Sequence, residues 1–346
     1  MPAKPRSDIF DPHKVGVYHC WNKLVRGSYL FGTDALTGYD YSYRKDWMRH
    51  RFHELAGSMA IDVLDYAILD NHLHVVLRNR PDIVRSWSDE EVARRWWFVC
   101  PSYRNKDGSV SDPKPCEIGL LLPKVAEYRE RLSNISWMMR LACQKIATRA
   151  NREDKVDGRF FAKRFECDRL ETAKDVLACS LYVDLNWIHA GLAETPEQSR
   201  FTSAFDRIQS RWREIGQEMG DSVSLSDDHE ADAWLAPIYL DERAEAYVGP
   251  AQAASDQSEP PPICNPPGAA RISNKGFLPI TRDQYLSLLD LLGRVVRKGT
   301  RGAIPAELPP ILARFNVAPQ TWLDSILELF RSNPPLRPAA AVPRLG

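Results

Sequence analysis

The chain has 346 residues, with 46 Lys and Arg against 46 Asp and Glu, and 44% of it is apolar. That is the make-up of a folded protein with material for a sizeable core, longer than one small domain requires. No apolar run approaches the ~20 residues of a membrane span, zero net charge gives no sign of a uniformly basic polyanion binder, and seven scattered cysteines without a CxxC pair argue against a disulfide frame or zinc ribbon.

No apolar segment follows the basic residues at the start of the chain, so no signal peptide and a cytoplasmic location are expected. Residues 15–31, rich in β-branched and aromatic side chains, read as a strand running into a turn at Gly27. Trp47, Phe52, Leu55 and Met59 recur at helical spacing over 46–60. The apolar run 61–69 suits a strand, Asp70-Asn71 a turn, and 72–77 the next strand. Strand, helix, strand, strand is half of a ferredoxin-like α+β unit.

Residues 80–131 break the pattern and read as a partly helical insertion. A helix follows, with Ser133 or Ser136 as its cap and Met138, Leu141, Ala142 and Ile146 near one face. After a loop over 151–158, residues 159–170 suit a strand or an extended arm. Thr172 or Glu171 opens a further helix that ends near Gly191. Residues 201–248 read as a helical extension and 249–275, rich in Pro, Ala and Ser, as a linker. The capping-box pattern Thr281 to Gln284 precedes a leucine-rich helix, and a short helix is expected over 319–330, within a C-terminal helical region spanning 276–335.

Three features carry chemistry. His72 and His74 are two apart on a strand and so share a face, which presents two imidazoles side by side as metal ligands would be; a pair of surface histidines on an edge strand is the alternative. Tyr182 and Asn186 are four apart and share a helix face, where a tyrosine is a core residue or, once activated, a nucleophile, and the asparagine a cap or a ligand. From 136 to 170 there are nine Lys and Arg against five Asp and Glu, interleaved with Phe160, Phe161 and Phe165, either a solvated face or the footprint of a phosphate-bearing partner.

In their order these pieces resemble a known family. Asn71-His-Leu-His-Val-Val-Leu77 resembles the histidine-hydrophobic-histidine motif of the HUH single-strand nucleases. Residues 182–192, YVDLNWIHAGL, are similar to the tyrosine-helix signature of the single-tyrosine HUH transposases, most of all the REP-associated branch. Residues 158–170 resemble the aromatic-basic segment ahead of that helix, and GVYHCWNKLVRG the first strand. The likeness spans roughly residues 13–200. It implies the HUH nuclease fold, a ferredoxin-like antiparallel sheet with helices on one face, here followed by a mainly helical C-terminal extension. It also implies that His72, His74 and Asn186 bind Mg²⁺ or Mn²⁺ and that Tyr182 attacks DNA at the foot of a hairpin to give a 5′-phosphotyrosine and a free 3′-OH.

The partner would be hairpin-bearing single-stranded DNA, bound in the nucleoid by a monomer or a homodimer, with His19, Arg159, Lys163, Arg164, Arg297, Lys298 and Arg301 as candidate DNA contacts. Trp187 stands where the family has proline, which would end or kink the helix, and His189 where it often has a basic residue. Alternatives to strand transfer are a non-cleaving hairpin-binding protein and a phosphoesterase that uses water.

Overall fold

The computed structural model describes residues 9–35, 37–218, 231–240, 264–265, 268–296 and 299–315. Its centre is an antiparallel sheet of β1 (Gly16–Lys23), β2 (Ile61–Ile68), β3 (His72–Asn79) and β4 (Glu166–Leu170), in the order β2-β3-β1-β4. The protein is thus α+β. Every residue of β2 is buried, and so is all of β3 except its first residue, His72. That is why these strands read as apolar runs rather than as alternating ones.

Helix α1 (Arg44–Ala56) joins β1 to β2, and α6 (Ile135–Asp154) leads from the insertion back to β4. The α6 cap is Asn134, whose side chain accepts from the Ser136 and Trp137 N–H groups; neither serine proposed for the role takes it. The insertion is helical through α2 (Pro81–Ser86), α3 (Asp89–Val99), α4 (Pro115–Leu121) and α5 (Val125–Leu132). Trp96 of α3 stacks on Tyr128 of α5 with ring centroids 4.6 Å apart, which fixes α3 against α5.

Helix α7 (Ala173–Asp184) starts at a reciprocal cap between Thr172 and Asp175, and α8 (Asn186–His189) follows after Leu185. Gly191, at φ +72°, ends the pair in a conformation that favours glycine. Helix α9 (Ser203–Glu218) lies along the outer edge of β2, where the Ile68 N–H donates to the Phe201 carbonyl and Thr202 bridges Ala67. An edge strand is thereby covered. Helix α10 (Arg282–Gly293) begins at the Thr281–Gln284 capping box read from the sequence, and α11 (Ile311–Arg314) closes the described part. The helix expected over 319–330 lies outside the described residues, and among these no helix is long and apolar enough to cross a membrane.

One expectation is corrected. Helices do not occupy one face of the sheet alone. Cross-strand partners share a face, and the pairs Trp21–His74, His19–Val76, Lys23–His72 and Ala67–His74 put the three histidines on the same side. Helix α7 packs there, its Ser180 hydroxyl 2.5 Å from Asp65. Helices α1 and α6 take the other side, where Asn22 faces Cys143 and Tyr66 shares Asp206 with Arg49. A side chain on α7 meets the histidines of β3 only if it lies on their face, so this contact goes with the second layer.

Residues beyond 230 also join the core. The Ala236 N–H donates to Val63, and Ser273 donates to the buried Asp62, which also receives Arg78. Ile272 and Ser273, within the stretch read as a linker, are 0% and 1% exposed.

Candidate functional site

Strand pairing places His72, His74 and His19 in a row across β3 and β1, and the last turn of α7 lowers Tyr182 onto them. The Tyr182 ring centroid is 5.6 Å from that of His74 and 6.2 Å from that of His19, edge-on to both. His72 and His74 have centroids 5.1 Å apart. Asn186, one turn beyond Tyr182, is buried at the start of α8. The four residues, drawn from two separate motifs, are thus successive neighbours: His72 beside His74, His74 against Tyr182, and Tyr182 beside Asn186.

Hydrogen bonding decides which ring nitrogens are available. His72 Nδ1 lies 2.6 Å from Asn71 Oδ1. With the Asn71 amide oxygen facing it, Nδ1 would carry the proton and Nε2 keep its lone pair. His74 Nδ1 lies 2.9 Å from His19 Nε2. If His74 donates through Nδ1, its Nε2 is likewise free to act as a ligand.

Both Nε2 atoms are buried without a hydrogen-bond partner, as is the Asn186 amide nitrogen. Three orphaned polar atoms at one site are what a missing ligand leaves behind. An amide offers oxygen or nitrogen at the same place by a half-turn about its last torsion. The donor set therefore fits a divalent cation, as two imidazoles and an amide. Among the described residues no three His, Cys, Asp or Glu side chains form such a group.

Burial sets the charge state. It lowers His19 to about 4, and it lowers His72 to about 4 with help from the Lys23 charge. Burial, added to the neighbouring histidines and Lys23, holds His74 well below the usual range. All three are neutral at pH 7, as ligation requires. Burial raises the Tyr182 phenol; the Asn186 amide beside it opposes the rise without closing a full hydrogen bond. The phenol is thus protonated at neutral pH and needs activation to attack.

The helix that carries Tyr182 is gripped on both sides. Ser180 donates to Asp65, which pairs with the buried Arg207 of α9 at 2.9 Å. Asp184 is fully buried and accepts from the Ser203 hydroxyl, the Ala204 N–H and the Tyr285 hydroxyl, the last at 2.6 Å. Trp187 makes its own anchor, donating from Nε1 to the Ile68 carbonyl at 2.9 Å while Lys45 lies over its ring. Trp187 thus ties the segment after α7 to β2.

Other candidates lie apart. Arg159, Lys163 and Arg164 are exposed and line, with Trp137 and Arg140, a groove of about 580 Å³ between α6 and residues 158–165. Asn22 also lines it, so it opens on the face away from Tyr182. Lys163 pairs with Glu166 at 2.8 Å. The Arg301 N–H donates to the His189 carbonyl, which places this exposed arginine beside the end of α8. Arg297 and Lys298 lie outside the described residues. Two contributors were missed: Asn71, read only as part of a turn, and Asp184, an acid on an apolar helix whose burial was the available signal.

No protein-family model matches the chain, and no curated protein does. A solved structure of a REP-associated tyrosine transposase bound to a REP hairpin is similar at 12% identity and a TM-score of 0.32, over 56% of this chain and 79% of that one. A likeness of that size carries no inference about function.

Proposed function

We propose that this chain is a single-tyrosine nuclease and strand transferase of the HUH type, acting on hairpin-bearing single-stranded DNA. The observation that carries the reading is the Tyr182 ring set against His74, itself beside His72, with the Nε2 atoms of both histidines buried and without a hydrogen-bond partner. The motif order along the chain supports it, and so does the strand order, with α1 and α6 on one face in the manner of a ferredoxin-like frame.

His72 and His74 through Nε2, with Asn186 as the third donor, would hold Mg²⁺ or Mn²⁺. Bound there, the cation would supply Lewis-acid polarisation of the scissile phosphate. His19 and Asn71 hold the two imidazoles in the ligating tautomer. The Tyr182 oxygen forms the new bond to phosphorus, the bond to the 3′ oxygen breaks, and one proton passes in net terms from the phenol to that oxygen. The product is a 5′-phosphotyrosine and a free 3′-OH. The grips on Ser180, Asp184 and Trp187 hold the phenol in place for the attack, the positioning on which such a reaction depends.

The test is incubation of the full chain with an end-labelled, hairpin-bearing single strand and Mn²⁺, resolved on a denaturing gel. A protein–DNA band that Tyr182→Phe abolishes supports the proposal. Binding with no such band points to a non-cleaving hairpin-binding protein. Cutting that survives Tyr182→Phe points to a phosphoesterase using water.

A further inference from the structure

A second cleft lies on the opposite side of the molecule from Tyr182, among α1, α6 and α9, with a volume of about 740 Å³. Six of its walls are cations: Arg49, Arg51, Lys145, Arg149, Arg200 and Arg213. Its acids are few, and they are already engaged or outnumbered. Glu54 is shared by Arg51 at 2.7 Å, Lys145 at 2.9 Å and Arg104 at 3.1 Å. Arg49 is taken by the buried Asp206 behind the wall. Asp46 is the other carboxylate lining the cleft.

Arg149 and Arg200 are exposed and have no carboxylate partner among the described residues. Each is held by an aromatic ring instead. The Arg149 guanidinium sits 3.6 Å over Trp47, and that of Arg200 lies 5.4 Å from the Phe201 centroid. A guanidinium stacked on a ring keeps its N–H donors for a ligand while its side chain is already ordered. In a chain of zero net charge, this concentration of unanswered positive charge is local.

We propose that the cleft binds the phosphodiester backbone of a nucleic acid. Guanidinium forks match phosphate oxygens in pairs, and the volume exceeds what one phosphate needs. Trp47 has its face covered by Arg149, so the cleft offers donors to phosphates rather than a platform to bases. The site goes beyond the function proposed above, since it requires neither Tyr182 nor a cation.

The experiment measures fluorescence anisotropy of a 5′-fluorescein DNA hairpin with a single-stranded tail, titrated with the full-length Tyr182→Phe protein in EDTA from 50 to 200 mM NaCl. Added to that background, Arg149→Glu with Arg200→Glu is expected to weaken binding at least ~10-fold at 50 mM salt. The slope of log K against log salt should fall by roughly 1.4–1.8, because each of the two lost phosphate contacts contributes about 0.7–0.9. Lys124→Glu makes the same kind of charge change on the exposed insertion and should leave affinity within about twofold. Arg149→Gln with Arg200→Gln should show the same slope loss, which removes any effect of the new carboxylates.

Unchanged affinity and slope in both cleft variants would overturn the proposal, as would an equal loss in Lys124→Glu. Competition by poly-glutamate at equal charge concentration would assign the cleft to acidic peptides instead. Absence of a covalent band in the cleavage test leaves this binding measurement unaffected, so the two readings fail separately.

Discussion

Tyr285→Phe removes a single oxygen about a hundred residues along the chain from Tyr182, and it should be felt in the helix that carries Tyr182. The Tyr285 hydroxyl donates to Asp184 Oδ2 at 2.6 Å, and both side chains are fully buried. Ser203 and Ala204 donate to the other oxygen, Oδ1, so the variant leaves Oδ2 without its donor. Losing a buried hydrogen bond to a carboxylate costs about 1.5–3 kcal/mol, or on the order of 5 °C in Tm for a domain of this size.

The loss should depend on pH. Burial, with the Asp65 charge nearby, already raises the Asp184 carboxyl well above its ordinary 3.8, while Tyr285 and Ser203 oppose the rise. A raised folded-state value means that stability from this group is full below 3.8 and falls as pH climbs through the folded value. Without Tyr285 the folded value rises further, so the gap between variant and wild type should widen from pH 5.5 to pH 8.5. Urea denaturation at both pH values reads it, and amide exchange across α7 locates it. A variant within about 0.5 kcal/mol of wild type at both would refute the reasoning, as would a loss that pH leaves unaltered. Tyr239→Phe, at a tyrosine 53% exposed, is the control.

Two further outcomes are expected. His19→Ala removes the partner of His74 Nδ1 and should weaken Mn²⁺ binding about 10–100-fold, with His19→Gln recovering part of the loss; calorimetric titration in the Tyr182→Phe background measures it, and wild-type affinity in His19→Ala would show that His74 needs no such support. Burial pushes the Glu54 carboxyl up, but donation from Arg51 and Lys145 outweighs it and holds the group at about 2. A depressed value gives stability above pH 4.5 that is lost as pH falls toward 2, so Glu54→Gln should lower stability at pH 7 by at most ~3 kcal/mol and flatten acid unfolding in that window, read by circular dichroism.

The frame was legible where local chemistry is strong. Two apolar runs gave β2 and β3 within a residue or two, and the Thr172 and Thr281 caps fell where side-chain oxygens meet orphan N–H groups. Asn134 was overlooked because two serines beside it offered the same chemistry and only geometry chooses among them. At the candidate site, spacing put His72 with His74 and Tyr182 with Asn186, since both pairs are local. The His19–His74 contact spans 55 positions, and it depends on a strand register that no local pattern encodes. The roles of Asp184 and Tyr285 were hidden for the same reason. An aspartate on an apolar helix declares nothing until its partners, far along the chain, are known.

The clasp on α7 also orders events during synthesis. Strands β1 to β4 and the tyrosine helix are complete by residue 184, yet the groups that fix Asp184 come from Ser203, Ala204 and Tyr285. A chain emerging from the ribosome at about 5–20 residues per second would expose its histidines and Tyr182 some seconds before Tyr285 arrives to seat them. Through that interval the helix has its apolar face, the Ser180–Asp65 bond and, once residue 204 is made, the donors to Asp184 Oδ1, but Oδ2 still lacks Tyr285. On the proposed function, a nascent or prematurely terminated chain would carry the reacting groups while its clasp lacked the Tyr285 donor. Under the proposed function, late completion of the clasp would act as an arming step, tying DNA cleavage to the translation of α10.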